Sequence, residues 1–330
     1  MTENRKTSGE FIDFDEIRRK KSHCETIIEV NNKWMVEHPD ECEPQKTERE
    51  NAQASVEITR LEAILATEPP PPELPPRQPL FKVSGVLEEF SVQKVIGYFT
   101  DREYDPEAFA REVERNQVGG LLLAITGNAA GSAVTGQNDV RQDDRCDFVR
   151  GKINGIPFHG WLGKTHVRVG DYVEMVVMGQ DEHYLVYAIV FPELRTLSIT
   201  PRCSCGREAD IRFAAMYGMP MLASIFLIMI IIFFFKGVDW KGIAVFAAIS
   251  GVALLLAFWR AARKGRKIPG PVFLLTENIF AVLGFTDPQQ VDLRKLTKEH
   301  LKRAPEGTSL VTDREMPSRR SAWVSYFYYY

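Results

Sequence analysis

Cys203 and Cys205, one serine apart, are the residues whose chemistry stands out first. Two thiols at that spacing hold a soft metal only when a second pair completes the ligand set. The chain has five cysteines, Cys24, Cys42, Cys146, Cys203 and Cys205, and no second close pair. The expected state is two reduced thiols at the surface, and an odd count without an even framework fits a reducing compartment. The six histidines, His23, His38, His159, His166, His183 and His300, are scattered. None stands at metal-motif spacing from a cysteine or carboxylate. His159 and His166 fall in or near strands, where a satisfied structural histidine is the default. Asp139, Asp143, Asp144 and Asp147 form an acidic cluster without the spacing or glycine of a calcium loop, and a solvated loop is expected. A phosphate-cradling loop, a dinucleotide fingerprint and a Gly-x-Ser-x-Gly elbow are all missing from the sequence. The expectation is therefore a non-enzymatic chain with no catalytic, cofactor-binding or metal residue.

What remains to carry function is a pair of apolar stretches, Phe213 to Phe235 and Ile243 to Trp259, joined by Lys236-Gly-Val-Asp-Trp-Lys-Gly242. The first runs for about 23 residues without a charge, and at ~1.5 Å per residue it spans the ~30 Å hydrocarbon layer. The second is near the lower limit of ~17 residues, and Trp240 and Trp259 bracket it as interfacial anchors. A buried core helix fails on length, on the lack of charge and on the basic run that follows. The expectation is a two-helix transmembrane hairpin over 213–262. Pro220 is tolerated near its start because neighbouring groups re-satisfy the freed carbonyl. Ser250 and Gly251 in the second helix, and Gly127 and Gly131 upstream, are small residues suited to helix packing and to a homo-oligomer.

Orientation follows from the positive charges. Arg202, Arg207 and Arg212 precede the hairpin, and Arg260, Arg263, Lys264, Arg266 and Lys267 follow it, whereas the turn carries only Lys236 and Lys241 against Asp239. Both polar parts, and both termini, are expected on the cytoplasmic side of a multi-pass protein. The run after Trp259 suits anionic lipid headgroups, at ~1 kcal/mol per charge. A nucleic-acid partner is not expected, and a net charge of -3 agrees. Residues 1–30 are charged throughout and contain no apolar core of a signal peptide.

The elements that must position these features are legible in outline. Residues 1–67 are charged; Ala54, Ile58, Leu61 and Leu65 form a helical stripe, and Phe11, Phe14, Ile17 and Thr26 to Val30 suggest a short helix or a disordered stretch. The proline-rich stretch 68–79 reads as an extended, semi-rigid spacer. Residues 80–104 and 138–205 alternate as short strands, with Leu80 to Phe99 forming one long or two short strands around Gly85. Turn signals stand at Asn154-Gly155, Val169-Gly170-Asp171 and Gly179 to Glu182. Such spacing predicts a small antiparallel β-barrel of OB-like type, so the fold class is a mixed α+β membrane protein. Residues 105–137 form a helical and Gly-rich insertion, with Asp105 as cap and Pro106 at the first helical position. It reads as a cover over the barrel, with membrane contact as the alternative. An amphipathic helical region follows over 268–304, in which Gly284 ends a helix. Residues 305–330 form a tail whose aromatic end suits an interfacial anchor, a docking segment or disorder.

The stretch Cys146 to Trp161, the phrase Val169-Gly-Asp-Tyr-Val-Glu174, Tyr187 to Ile199 followed by Cys203-Ser-Cys-Gly-Arg207, and Thr276 to Phe285 with Val291-Asp-Leu-Arg294 carry a resemblance. They are similar to a family of bacterial membrane proteins catalogued as type VI secretion system effectors, over about residues 80–300. The resemblance implies a role in interbacterial competition, as an effector or accessory protein acting at an inner membrane or, if exported, at a target-cell membrane. It transfers no catalytic residue. The partners it implies are the lipid bilayer and a secretion component, chaperone or cognate effector or immunity protein. A resident immunity or scaffold protein that presents a cytoplasmic β-domain is the alternative.

Overall fold

The computed structural model describes residues 11–38, 43–107, 109–111, 114, 143–236, 239–303 and 314–330. Alternation of apolar residues builds strands β1 (Phe81–Tyr98), β2 (Asp143–Ile153), β3 (Ile156–Leu162), β4 (Tyr172–Gln180) and β5 (His183–Phe191). They close in the order β1-β2-β3-β5-β4, antiparallel except for a short parallel seam between β3 and β5. β1 is a single strand: Phe81 to Val86 pair with β4, Leu87 to Tyr98 pair with β2, and a register shift between Leu87 and Glu89 marks the passage from one partner to the other. Asn154 (φ 51°) and Gly155 (φ 78°) make the β2–β3 turn, both in the left-handed region that a two-residue hairpin needs. Gly160 lets the seam close, because a Cβ there would collide with the Val186 carbonyl.

The interior holds Leu87, Val149, Ile153, Leu162, Val173, Met175, Val177, Val186 and Ile189. Alternate residues face outward and are covered too, so β4 and β5 read as nearly continuous apolar runs. One outer flank is covered by α1 (Phe14–Glu37) and α2 (Pro44–Leu65), an antiparallel pair tied by Asn31 to Asn51 at 2.9 Å and Lys21 to Glu62 at 2.8 Å. The Asp13 side chain caps α1 by accepting from Glu16 N–H. Phe14, Ile64 and Leu65 pack on Val95 and Phe148. Short α3 (Asp101–Tyr104) delivers Tyr104 into a second outer core. In the insertion after it, residues 106, 107, 109–111 and 114 are helical, with Phe109 N–H donating to the Asp105 carbonyl. Gly127 and Gly131 lie outside the described residues.

After β6 (Thr196–Ile199) come α4 (Arg207–Phe213), α5 (Met219–Phe235), α6 (Trp240–Lys267), α7 (Pro271–Leu283), α8 (Leu293–Arg303), α9 (Ser321–Val324) and β7 (Phe327–Tyr329). α7 does not lie free: Leu275, Ile279 and Phe280 complete the outer core against Val176, Met178 and Tyr187, and Gly284 ends the helix at φ 88°.

Four expectations change. In the aromatic end, residues 327–329 are neither a disordered tail nor a lipid anchor; they pair with β6 and are buried. The proline-rich stretch is not a free spacer but a strap along the barrel: Trp161 Nε1 donates to the Pro70 carbonyl at 2.8 Å and Tyr187 Oη to the Glu73 carbonyl at 2.9 Å. Asp143, Asp144 and Asp147 lie in β2 rather than in a solvated loop; Asp144 accepts from Arg202 Nε (3.0 Å) and Tyr326 Oη (2.6 Å). Cys203 and Cys205 are buried, not at the surface.

Candidate functional site

The described part of the molecule has two helices long and apolar enough to cross a membrane, Arg207–Phe235 with 29 residues and Trp240–Lys267 with 28. At ~1.5 Å per residue each is over 40 Å long, enough for a full crossing plus an extension beyond the ~30 Å apolar layer. The first contains a wide turn at Ala214–Gly218, just before Pro220. That widening makes room for the proline ring, which would otherwise press on the carbonyl four residues back. Ser224 Oγ donates to the Pro220 carbonyl at 2.9 Å, so the hydroxyl is satisfied within its own helix.

The hairpin stands clear of the body. α5 buries no residue and α6 only Ile243; Phe235 is 82% exposed and Ile249 65%. The helices touch through Phe246, whose ring lies 5.2 Å from Phe233 and 6.3 Å from Phe226. Nothing lies within 4 Å of where a Gly251 Cβ would be, so within one chain it marks no close approach of the two hairpin helices. Ser250, beside it, is half-buried. Trp240 and Trp259 are both exposed and stand on one helix, nineteen positions or about 29 Å apart, which is the thickness of the hydrocarbon layer. Arg263 lies 5.2 Å from the Trp259 ring. Arg260, Lys264 and Lys267 are exposed on the same last turns of α6.

Both roots of the hairpin are fastened to the body and to each other. Arg207 pairs with Glu277 of α7 at 3.2 Å, with 20% and 11% of the two side chains exposed, and its Nη1 donates to the Arg266 carbonyl at 3.2 Å. Arg266 reaches back to Glu208 at 2.9 Å. Just upstream, Gly206 N–H donates to the Val291 carbonyl and Leu293 N–H to the Ser204 carbonyl. The segment leaving the second helix is thus stitched to the segment entering the first, and the polar parts before and after the hairpin form one body.

The cysteines serve this stitching. Cys203 lies 3.5 Å from Tyr104 Oη, and Arg294 Nη2 donates to Cys205 Sγ at 3.3 Å. Burial pushes the Cys203 thiol up to about 11 and Cys205 up to about 12, so neither is a thiolate near neutral pH.

Two histidine environments could not be read from spacing. The β3–β5 seam stacks His159 on His183, 4.9 Å apart, at the edge of a cleft of about 600 Å³. Burial first, and then His183 and Arg150, lower the affinity of His159 for a proton. His166 lies against Phe191 and Phe327, and its buried Nδ1 has no hydrogen-bond partner among the described residues. Burial, and then Arg314, bring it down to about 4. Arg314 forms a two-pronged pair with Asp171, at 2.9 Å for the Nη2 to Oδ1 arm. Because His166 binds fewer protons folded than unfolded between about pH 4 and its ordinary 6.5, it weakens the fold as pH falls through that window. Asp147, raised by burial to about 6, acts in the opposite sense: its contribution is lost as pH rises from about 4 to 6. A His166→Phe variant is expected to lose less thermal stability than the parent between pH 6.5 and 4, measured by unfolding in detergent; parallel pH profiles would refute this.

The signal that could have found the stitching is the pair of arginines at 207 and 266, one at each root. No known protein family, no curated protein and no solved structure matches this chain.

Proposed function

We propose that this chain is a non-enzymatic membrane protein whose hairpin holds an OB-like barrel domain against the cytoplasmic face of a bacterial inner membrane. The observation that carries the reading is the joining of both hairpin roots through Arg207, Glu208, Arg266 and Glu277, which supports two crossings with one polar side. The basic residues flanking the roots favour the cytoplasm for that side. The resemblance read from the sequence motifs alone, which no family model supports, is the sole ground for interbacterial competition as the setting, with an accessory, immunity or scaffold role for the anchored barrel. A second reading, an effector that inserts its hairpin into a target membrane, draws on how little of the hairpin is packed on the body. Against a pore stands the lack of a polar face: the Ser224 hydroxyl is spent on its own helix.

In cells expressing a chain with Cys24 and Cys42 replaced by serine, a cysteine at Asp239→Cys should react with a membrane-impermeant maleimide from outside. One at Lys298→Cys should react only after lysis. Membrane potential and growth should stay unchanged on induction. The opposite labelling pattern would overturn the orientation, and depolarisation that depends on the hairpin would favour the effector reading.

A further inference from the structure

We infer that a basic, aromatic-walled cleft at the root of the hairpin is a binding site for one anionic phospholipid, an inference that rests on the membrane-anchored reading above. The cleft has a volume of about 590 Å³, within the range of small-molecule sites. One wall is apolar and comes from the start of the first crossing, Phe213, Met216 and Tyr217, with Trp323 of α9 beside them. The other is cationic and comes mainly from α8.

Charge decides what fits. Arg212, Arg294, Lys295, Lys298, Lys302 and Arg319 line the cleft against only Asp292 and Glu299, in a chain of net charge -3. The two carboxylates are engaged: Asp292 holds Arg294 at 3.3 Å, and Glu299 lies 3.9 Å from Lys295. Arg294 is a structural cation, with its guanidinium 5.1 Å from the Phe213 ring and 5.0 Å from the Trp323 ring. Arg212 donates to the neutral Gln290 amide oxygen at 2.7 Å. Lys298, Lys302 and Arg319 are exposed and have no carboxylate partner among the described residues. The surplus positive charge is therefore available to a phosphate.

Depth decides the source of that phosphate. Arg212 is the last charge before the first crossing and Phe213 its first apolar residue, so the cleft opens where headgroups meet hydrocarbon. A ligand lying there meets cations on one side and aromatic and thioether carbon on the other. A phosphate diester carrying acyl chains satisfies both walls, whereas a free inorganic ion satisfies one. The basic run Arg260 to Lys267 is a separate surface on the last turns of α6 and does not line the cleft.

The test uses the full chain purified in neutral detergent, with bound lipid counted by native mass spectrometry. Phosphatidylglycerol should bind with one-to-one stoichiometry and be preferred over phosphatidylcholine by at least about tenfold. The triple variant Lys298→Gln, Lys302→Gln, Arg319→Gln changes only exposed side chains and should lose that preference. The variant Arg260→Gln, Lys264→Gln, Lys267→Gln should keep it. Retention of the preference in the first variant, its loss in the second, equal binding of phosphatidylcholine, or displacement of the lipid by millimolar inorganic phosphate would each overturn the site. Carbonate extraction of the same cells separates the two readings. A chain released by carbonate refutes the membrane anchor and the lipid site together, and a retained chain without lipid preference refutes the site alone.

Discussion

Replacing residues 219–259 with a flexible linker of about eight Gly and Ser residues is expected to turn the chain from a membrane-bound protein into a soluble one that still unfolds cooperatively. Within the hairpin only Ile243 is buried, near the turn between the two helices, and no described residue of 219–259 belongs to the barrel interior or the outer core. Its roots are already tied together through Arg207, Glu208 and Arg266. A linker of that length reaches roughly 16 Å as a random coil, enough to rejoin helix ends that sit side by side. The barrel interior and the outer core lose no wall. The measurement is carbonate extraction and size-exclusion chromatography, followed by thermal unfolding. A product that remains in the membrane pellet would move the anchor elsewhere. A product without a cooperative transition would show that the crossings stabilise the body.

Tyr328→Ala should cost about 3–5 kcal/mol, typical of truncating a large buried aromatic ring and a large share of the roughly 5–15 kcal/mol that holds a domain together. Tyr328 is 1% exposed, lies in the outer core with Leu197, Leu293 and Ala322, and belongs to the strand that pairs with β6. Its neighbour Tyr329 donates its backbone N–H to Thr297 Oγ1 at 3.0 Å, so the same strand also positions α8. Chemical denaturation of the detergent-solubilised chain measures the loss. Val324→Ala, at an exposed position, should change stability by less than about 0.5 kcal/mol. If Tyr328 were a lipid anchor instead, its removal would weaken membrane partition and leave the unfolding midpoint in place.

The parts of this fold that the sequence makes legible are those fixed by local chemistry. Asn154-Gly155 demands a tight turn whatever surrounds it, and the charge-free run from Phe213 to Phe235 has few alternatives to a long apolar helix. β5 reads as a strand from its β-branched and aromatic run even though both faces are covered. The parts that stayed hidden depend on partners far along the chain. The aromatic run ending at Tyr329 has no period that separates a buried strand from an interfacial belt, and its partner β6 lies on the other side of the hairpin. The proline-rich stretch announces an extended backbone but not that Trp161 and Tyr187 will take its carbonyls. Cys203 and Cys205 advertise reactivity by their spacing, while burial, which spacing does not encode, removes it. The basic cleft is hidden for the same reason, because its cations come from Arg212, α8 and Arg319. Gly251 misleads in the other direction: a small residue permits close approach without requiring it.

β6 precedes the two apolar helices and β7 follows them, yet the two strands are hydrogen-bonded neighbours in one sheet. In the membrane-anchored reading proposed above, the sheet therefore counts parity. A chain that crosses once, or whose second helix fails to return, leaves β7 on the opposite side of the bilayer from its partner. The flank of the barrel then keeps an open strand edge and an exposed apolar core. Correct insertion of the hairpin and completion of the body become one event, and a mis-inserted copy carries on its surface the unpaired edge that marks it for removal.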